Sequence, residues 1–532
     1  MKVNNISYKD TGFYSKLILD FLDKEEKLHP FVDLFFEKEN IIKAIEKRAS
    51  LNFVSRDVLA DALAKQYDSA EISEATAANI ELLRKDNTFT LTTAHQLNLY
   101  MGPMYYVLKI LHCIKLCKEL SEQYPSYNFV PIFWMNTEDH DFEEVNHFNM
   151  FGKKLEWETD QKGAVGLFEN RDQNAVIEKL DELFGDTENA NYLLNNIKKH
   201  FTKEKKYGPA MFSFVNSFFS RFGLVIYNQH NDALKKTILP FFKDELTNHN
   251  LYRTVLEHSK KLEEAGYHQQ ALPRAINLFY IDDTKGRNRI IYKEEKYFVN
   301  DTNIVFTEAE ILKELETNTV RFSTNVLSRP IYQQSILPNL AYIGGGGELA
   351  YWMQLKASLD HFNVFFPILI LRKSIMWVDK NLSKKMGKLG LNESHFFNSS
   401  DSIIKDFVKL NTTETLTLEK EKIAIKKIFE TIKTKAKSID PTLEKSADGE
   451  LTKQIKSIEN LESKILRAEK RKFEQSNTQI TNIKSKLFPS GKLQERHDNF
   501  MIWYNNYGTE FFDILYEHLE TENRFFSVYV ED

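Results

Sequence analysis

FTLTTAH at residues 89–95, continued by QLNLYMGPMYYVLKILHCIKLCKEL at residues 96–120, decides the fold class of this chain. The first segment has the β-branched content of a strand, and the second is typical of a long, apolar-rich helix. Other strand-length apolar runs, separated in several places by helical stretches, lie at 129–135, 223–227, 276–281, 340–343 and 364–371. Strands that alternate with helices predict an α/β fold with a mainly parallel, doubly wound sheet.

Helical and inserted segments surround these strands. Residues 1–85 place apolar side chains three or four apart, which predicts an N-terminal helical layer. Residues 150–220 and 235–325 carry more charge, and we interpret both as insertions; the second contains a predicted hairpin, RNRIIYKEEKYFV. We therefore expect a core domain at residues 1–385 that carries both insertions.

An arm rich in lysine, glutamate and isoleucine follows the core. Apolar residues recur every three or four positions from Ile425 to Leu443 and from Leu451 to Leu487, with breaks at Pro441 and at 446–449. This pattern predicts an antiparallel coiled-coil arm at residues 386–490, after which residues 491–532 regain aromatics and return to the core. The apolar stripe is narrow, so we expect a homodimer through the arm; packing on the core and a solvated hairpin are the alternatives.

Composition limits the classes of function. The chain has 532 residues and a formal charge of −5, from 71 basic and 76 acidic side chains, so nucleic acid is not expected as a partner. No run of ~18 apolar residues occurs, and the amino terminus lacks a secretory signal, which predicts a cytoplasmic protein without a membrane partner. The two cysteines, Cys113 and Cys117, are too few for a zinc site and fit core packing on one helical face.

Three motifs at predicted strand ends are candidates for ligand contact, because open α/β sheets bind ligands at the carboxyl ends of their strands. The first is the loop from Thr93 to Pro103. Backbone amides at a helix start, together with the side chains of His95, Gln96 and Asn98, favour phosphate or carboxylate. The loop lacks the P-loop and dinucleotide-binding glycine patterns, so a capping loop that touches no ligand is an equal alternative.

The second motif is the acidic and imidazole-rich segment at residues 137–147. Asp139, His140 and Asp141 could hold a substrate ammonium, bind magnesium, or act as a general base toward an attacking amine. A solvated, acidic helix start is the alternative, and it explains the glutamates that follow better than it explains these three residues.

The third motif is a strand, four consecutive glycines and a helix, at residues 340–352. The glycines permit close approach of a ligand to the backbone and positive φ angles, at an entropic cost that a simple connecting turn would not require. Upstream, Asn325, Arg329 and Gln333 could form a fork for carboxylate or phosphate, with a plain surface arginine as the alternative.

Two short basic segments complete the candidates. Arg372 and Ser374 follow the last predicted strand, where they suit a polyphosphate, and Arg496 could reach a nucleotide. An ion pair between the arm and the core is the alternative role for Arg496.

Five segments together resemble the BshC family, the proposed cysteine-adding enzymes of bacillithiol synthesis. They are AHQLNLYMGPMYYVLKI, VPIFWMNTEDHDFEEVNH, SRPIYQQSILPNLAYIGGGGELAYWMQLK, FPILILRKS and GKLQER. Their order and the position of the hairpin also agree, and the resemblance covers essentially the full chain.

The resemblance implies a Rossmann-like core related to nucleotidyltransferases, with connecting insertions and a coiled-coil arm used in dimerisation. It also implies a ligase that joins cysteine to glucosaminyl-malate, and a nucleotide site, for ATP or ADP, between core and arm. Carried over to this sequence, the pocket comprises His95, Gln96, Asn98, Gly102, Asp139, His140, Asp141, Gly344, Gly345, Gly346, Gly347 and Glu348.

We hypothesise that the glycine turn and the first loop hold a nucleotide or acyl phosphate, with magnesium as an optional ion. Asp139 and Asp141 would position the ammonium of glucosaminyl-malate while His140 handles the proton. The glucosamine nitrogen would then attack an activated cysteine carboxyl, because a free carboxylate is a poor electrophile. Nucleotidyl transfer to another small acid and a nucleotide-binding scaffold are the alternative functions.

Overall fold

The computed structural model describes residues 1–51, 54–68, 70–412, 416–522 and 524–531. Two compact units divide the chain. The larger unit comprises Ser7–Ile375 and Gln494–Ser527, and the smaller unit comprises Met1–Ile6, Met376–Leu493 and Val528–Asp532.

Strands and helices alternate along much of the larger unit. In the described ranges the strands are β1 (Lys2–Ser7), β2 (Thr88–Gln96), β3 (Asn128–Asn136), β4 (His147–Met150), β5 (Lys153–Glu156), β6 (Val225–Asn228), β7 (Leu278–Asp282), β8 (Gly286–Lys293), β9 (Lys296–Val299), β10 (Val305–Phe306), β11 (Phe322–Thr324), β12 (Asn339–Gly344), β13 (Ile368–Leu371), β14 (Ile375–Val378) and β15 (Phe525–Val530). The helices are α1 (Tyr8–Thr11), α2 (Lys16–Leu22), α3 (Lys38–Ala49), α4 (Arg56–Gln66), α5 (Glu74–Leu82), α6 (Tyr105–Gln123), α7 (Phe142–Val145), α8 (Asn174–Phe184), α9 (Glu188–His200), α10 (Tyr207–Phe219), α11 (Asp232–Lys236), α12 (Leu239–Thr247), α13 (Asn250–Glu264), α14 (Glu308–Thr317), α15 (Arg329–Ile336), α16 (Gly346–Gln354), α17 (Lys356–His361), α18 (Lys380–Lys388), α19 (Ser400–Asn411), α20 (Glu419–Ile439), α21 (Leu443–Lys472), α22 (Glu474–Leu487), α23 (Met501–Tyr507) and α24 (Glu510–His518).

Five strands of the larger unit form a parallel sheet in the order β13-β12-β2-β3-β6. The chain enters at the central strand β2, moves outward through β3 and β6, and returns on the other side of β2 as β12 and β13. Its connections therefore diverge between β2 and β12, the position at which open sheets of this type bind ligands. The predicted α/β fold with a parallel, doubly wound sheet is confirmed.

The strands of this sheet are buried along most of their length, as is usual when both faces of a parallel sheet are covered, and they are largely apolar except for β2, which has four buried threonines. Leu91, Val130 and Ile132 are fully buried, and α6 packs on β2 and β3. Cys113 and Cys117 of α6 are buried free thiols within this core, as predicted. Burial of each large aliphatic side chain contributes ~2 kcal/mol, so the sheet and α6 form a rigid base for the loops at the strand ends.

Two of the predicted strands differ from the structure. The run at 276–281 becomes β7, which lies in a separate antiparallel sheet of order β10-β9-β8-β7-β11 rather than in the parallel sheet. Only three residues separate β7 from β8, and so short a connection joins antiparallel strands, whereas a parallel pair needs a long crossover. In the run at 364–371, only Ile368–Leu371 is a strand, β13.

Other local predictions are confirmed. The hairpin RNRIIYKEEKYFV forms β8 and β9, and its turn residues Glu294 and Glu295 both have positive φ. Residues 1–85 form the helices α1 to α5, although the strand β1, which pairs in a three-stranded sheet of order β1-β15-β14, was not anticipated.

The arm is an antiparallel coiled-coil hairpin, as predicted, and lies in the smaller unit. Its two long helices, α20 and α21, are joined by ion pairs whose partners run in opposite chain directions: Lys437 with Glu444, Lys433 with Asp448, and Lys422 with Glu462. The predicted break at Pro441 is present, but the predicted break at 446–449 is wrong because these residues are helical within α21. A single exposed glycine costs a helix only ~1 kcal/mol, which the packing of α20 on α21 offsets.

Candidate active site

A cavity of about 650 Å³ opens at the carboxyl ends of the parallel strands, entirely within the larger unit. Gln96 ends β2, Asp139 lies three residues after β3, and Gly345 directly follows β12. These three residues line the same cavity because β3, β2 and β12 are adjacent and parallel. The cavity therefore lies at the point where the connections of the sheet diverge.

Most of the sequence-predicted residues line this cavity. They are His95, Gln96, Asp139, His140, Asn325, Arg329, Gly345, Gly346, Gly347, Glu348, Arg372 and Arg496. The cavity lining does not include Asn98, Gly102, Asp141, Gln333, Gly344 or Ser374.

The residues outside the lining shape or support it. Gln333 accepts a hydrogen bond from Arg329 at 2.7 Å, and Ser374 accepts one from Arg372 at 3.2 Å. Asp141 is exposed, and it precedes α7 without a side-chain cap bond. Gly344 is enclosed: a Cβ there would lie 2.9 Å from the Tyr342 ring.

The first loop is not the start of the helix, because α6 begins at Tyr105. Gly102 has a φ of 52°, and a Cβ at this position would lie 2.6 Å from Cβ of Asn98, so glycine is required there. Asn499, from the returning carboxyl-terminal segment, donates to the carbonyl oxygens of Tyr100 and Gly102 at 3.2 and 2.7 Å. Asn98 and Gly102 thus fix the turn that follows the cavity-lining residues His95 and Gln96.

An ion pair between Lys109, which is 2% exposed, and Glu348, whose side chain is 26% exposed, underlies the glycine turn. Nζ of Lys109 lies 2.5 Å from Oε2 of Glu348 and donates to the carbonyl oxygen of Ala94 at 2.6 Å. Burial alone would raise the pKa of Glu348, but the Lys109 ammonium and the hydrogen bonds from Tyr342 and Gly345 lower it to about 2. Lys109 thus contacts the end of β2 through Ala94, and Glu348 contacts the end of β12 through Tyr342 and Gly345. The pair therefore links the two strand ends.

The four glycines do not adopt the positive φ angles that the sequence suggested, since none of Gly344 to Gly347 has a φ in that region. Their role is instead to leave space. A Cβ at Gly344 would lie 2.9 Å from the Tyr342 ring and one at Gly346 would lie 3.1 Å from Ile18, whereas one at Gly347 would make only an ordinary contact, 3.8 Å from Gln270. The turn thus allows the amino end of α16 to form part of the cavity wall.

The acidic segment divides into a buried and a cavity-facing part. Glu138 is 1% exposed, forms an ion pair with Lys235, and contacts His230 at 2.7 Å. Burial alone would raise the pKa of Glu138, but Lys235 and His230 lower it to about 2. Glu138 is therefore a buried, ionised support, whereas Asp139 and His140 line the cavity.

Asp139 and His140 are oriented by neighbours from two other elements. Gln96 donates to Oδ2 of Asp139 at 2.7 Å, and Nη1 of Arg287 lies 3.6 Å from Oδ1. The same Nη1 lies 2.6 Å from Nδ1 of His140, and because a guanidinium can only donate, Nδ1 must be the acceptor. Burial, with the charge of Arg287, lowers the pKa of His140, so its neutral ring carries the proton on Nε2.

This arrangement bears on the expectation that His140 handles the proton. With its lone pair engaged by Arg287, the ring presents a donor, Nε2–H, rather than a base. His95, near the carboxyl end of the neighbouring strand β2, is also neutral, because burial lowers its pKa to about 3. The cavity thus combines neutral imidazoles with the carboxylate of Asp139.

The basic residues of the wall have different partners. Arg372 forms a two-pronged ion pair with Glu495, with distances of 2.9 and 2.8 Å, and stacks over Tyr105. Arg329 donates to Gln333 and to the hydroxyl of Tyr351. Arg496 is exposed.

Several cavity residues were not predicted from the sequence. They include Tyr105, Lys109, Gln229, Gln270, Arg274, Phe279, Arg287, Arg289 and Tyr351. Three of them carried a signal in the sequence: Lys109 is a charge within an apolar helix, and Arg287 and Arg289 are two apart in a strand, so both lie on one face.

No cluster of three or more metal-ligating side chains occurs among the described residues, and within the same ranges no helix has both the length and the hydropathy of a bilayer span.

Comparison with known proteins places the chain in a family. The description "Bacillithiol biosynthesis BshC, N-terminal Rossmann-like domain" matches residues 1–373, and "Bacillithiol biosynthesis BshC, C-terminal coiled-coil domain" matches residues 375–530. The chain belongs to the BshC family. Similar relatives, each named "Putative cysteine ligase BshC", come from Flavobacterium psychrophilum (41% identical over 99% of both chains), Flavobacterium johnsoniae (40% over 98% of both) and Christiangramia forsetii (39% over 98% of this chain and 97% of the relative).

The cavity of this BshC-family chain draws on both matched ranges. Its lining residues from Ala94 to Arg372 fall within the Rossmann-like match, and Arg496 falls within the coiled-coil match. Glu495, the partner of Arg372, precedes Arg496 directly, and both belong to the larger unit.

Proposed function

We propose that this chain is a cysteine ligase of bacillithiol synthesis, which joins cysteine to glucosaminyl-malate through an amide bond. The observation that carries the proposal is the cavity itself, where Asp139 and His140 face a glycine-flanked helix start across a basic wall. The names of the relatives support the same activity and do not favour nucleotidyl transfer to another acid or a scaffold role.

The charge of the cavity suits these substrates. Its lining includes seven basic side chains, namely Lys109, Arg274, Arg287, Arg289, Arg329, Arg372 and Arg496, and only two carboxylates, Asp139 and Glu348. The malate moiety of glucosaminyl-malate has two carboxylates, and an activated acyl group with phosphate adds further negative charge. Complementary charge attracts such ligands into the cavity and orients them.

Activation of the cysteine carboxyl requires a leaving group, and we propose ATP as its source. Transfer of the terminal phosphoryl group gives ADP and an acyl phosphate, from which the attacking amine displaces phosphate; transfer of AMP instead gives pyrophosphate and an acyl adenylate, from which the amine displaces AMP. The amino end of α16 offers backbone N–H groups, which favour a phosphate. Asp139 is engaged by Gln96 and Arg287, so it is a poor magnesium ligand in this arrangement. We therefore propose that any magnesium is held mainly by the nucleotide phosphates and water.

Asp139 and His140 divide the chemistry of amide formation. The Asp139 carboxylate binds the glucosamine ammonium and accepts its proton, which frees the nitrogen lone pair for attack. The Nε2–H of neutral His140 donates to the carbonyl oxygen as it gains negative charge. A donor of this kind typically contributes ~3 kcal/mol to lowering the barrier.

The proposal is tested by reconstitution. Full-length protein incubated with cysteine, glucosaminyl-malate and ATP is expected to form the amide product, detected by mass spectrometry, and to form none when ATP is omitted. Asp139→Asn is expected to abolish turnover while the protein stays folded. A wild-type protein that forms no product with any nucleoside triphosphate would overturn the ligase proposal.

We also propose that the protein acts in the cytoplasm as a homodimer assembled through the arm. The arm exposes an unusual number of aliphatic side chains for a solvated hairpin: Ile423, Ile428, Ile432, Ile439, Leu443 and Leu461 are 40 to 74% exposed. Burial of this stripe against a second arm would remove it from water.

A further inference from the structure

Four basic side chains in the cavity wall are almost completely buried. They are Lys109, Arg287, Arg329 and Arg372, which are 2, 7, 5 and 2% exposed. Three of them have a carboxylate within 4.0 Å: Lys109 has Glu348, Arg287 has Asp139, and Arg372 has Glu495. Arg329 has none among the residues that the structure describes.

The partners of Arg329 are neutral. Nη1 donates to Oε1 of Gln333 at 2.7 Å, and Nη2 donates to the Tyr351 hydroxyl at 3.0 Å. The guanidinium also lies 5.5 Å from the centre of the Tyr342 ring. These contacts use two of the five N–H groups and supply no carboxylate, so among the described residues the guanidinium has no counter-charge in direct contact and is acted on only at longer range by Glu348.

A second feature lies beside Arg329. Tyr351, which receives its Nη2 bond, belongs to α16, the helix that begins at Gly346 in the cavity wall. The first N–H groups of a helix have no partner within the helix and favour negative charge. The N–H of Gly345 already donates to Glu348, whereas Gly346 and Gly347 line the cavity and have no side chains of their own that could cover the next N–H groups.

We propose that Arg329 and the amino end of α16 form an oxyanion subsite, which receives a carboxylate or phosphoryl group of a ligand. The bound group supplies a counter-charge in direct contact with Arg329, where Glu348 acts only from beyond 4.0 Å. The subsite adds a binding group to the ligase function proposed above. It rests on that function only for the identity of the ligand that carries the oxyanion. The oxyanion is either a malate carboxylate of the acceptor or a phosphoryl group of the nucleotide.

The test compares anion binding with stability in full-length protein in a phosphate-free buffer. Arg329→Gln removes the charge, Arg329→Lys keeps the charge but loses the planar fork, and Arg372→Gln is the matched control that leaves Glu495 buried without its partner. Melting temperatures are measured without ligand, and dissociation constants for malate and for inorganic phosphate are measured by calorimetry.

Arg329→Gln is expected to melt at or above the wild-type temperature, because it removes a buried charge that no described carboxylate contacts directly, whereas Arg372→Gln leaves Glu495 unpaired and melts lower. The dissociation constant of the bound anion should rise about 10- to 100-fold in Arg329→Gln. The dissociation constant of Arg329→Lys should lie between those of wild type and Arg329→Gln. If Arg329→Gln fails to fold, the Arg329→Lys value tests the subsite in its place. Tighter binding of malate identifies the acceptor as the source, and tighter binding of phosphate identifies the nucleotide.

Two results overturn the subsite: wild-type protein that binds neither anion, and Arg329 variants with unchanged dissociation constants. Unchanged binding with a lower melting temperature would make Arg329 a structural residue. Anion binding that Arg329→Gln weakens, in a protein that forms no amide product, would retain the subsite and reject the ligase function.

Discussion

Removal of the Lys109 ammonium tests how the base of the cavity is held together. Lys109 is the buried link between the carbonyl oxygen of Ala94, on β2, and Glu348, on α16. Without it, Glu348 keeps its bonds from Tyr342 and Gly345 but loses its counter-charge. Lys109→Met, which has a similar shape, therefore leaves a carboxylate uncompensated in a largely buried position.

The magnitude follows from the pKa of Glu348. Its decrease from 4.5 to about 2 corresponds to ~3 kcal/mol of stabilisation of the ionised form, at ~1.4 kcal/mol for a tenfold change. Loss of one partner from a buried pair typically costs ~3–5 kcal/mol, which agrees. We expect Lys109→Met to lower the free energy of unfolding of the larger unit by ~3 kcal/mol, and the double variant Lys109→Met/Glu348→Gln to recover part of that loss.

The assay is urea denaturation followed by tryptophan fluorescence, since Trp352 is fully buried on α16. Lys115→Met is the matched control: Lys115 lies on the same helix, is half-buried, and donates to the Glu517 carbonyl without a buried carboxylate partner. A Lys109→Met loss no larger than that of Lys115→Met would refute the reasoning. So would a double variant whose loss equals the sum of the two single losses.

Four further outcomes are expected. Because the pKa of Glu348 is low in the folded protein, ionised Glu348 stabilises the fold fully above about pH 4.5 and progressively less toward pH 2. The free energy of unfolding, measured from pH 6 to pH 3, should therefore fall, and it should fall less steeply in Glu348→Gln. Equal slopes for the two proteins would contradict this. His140→Gln, which can still donate from its amide, should keep more of the kcat than His140→Ala, which should lose ~100-fold, whereas equal losses would argue against a donor role. Ile428→Glu should convert a dimer to a monomer in light scattering while Lys427→Glu does not, and a wild-type monomer would reject the arm interface. Gly102→Ala should lower the melting temperature because of its positive φ and its contact with Asn98; an unchanged melting temperature would show that the loop relaxes freely.

The parallel sheet could be predicted because its strands are buried on both faces and so appear as largely apolar runs bounded by helices. The same signal failed for residues 276–281, since an apolar run does not identify its pairing partner. There the three-residue connection to β8 determined the antiparallel arrangement. In the arm, the sequence at 446–449 suggested a break, yet the packing of α20 on α21 outweighed the weak helix propensity of one glycine.

Much of the cavity could be predicted because motifs at the ends of adjacent parallel strands must meet at one edge of the sheet. The spacing of Arg287 and Arg289 placed both on one face of a strand but could not place them at the cavity, since they lie in an insertion whose position depends on tertiary packing. The difference between Asp139 and Asp141 was also hidden, because it depends on the tight turns after β3 that expose Asp141 and direct Asp139 toward Gln96. The proton position on His140 follows from Arg287, so the sequence alone could not assign its role.

Hydrogen–deuterium exchange of the full-length protein with and without glucosaminyl-malate tests the central claim most directly, namely that the ends of β2, β3 and β12 form one substrate cavity. We predict that saturating substrate slows exchange in all three peptides that cover 94–102, 136–141 and 344–351. Exchange should be unchanged at residues 192–199, which line a second pocket together with residues 71–73 and 216–220. Protection confined to that other pocket, or to only one of the three strand ends, would contradict the account.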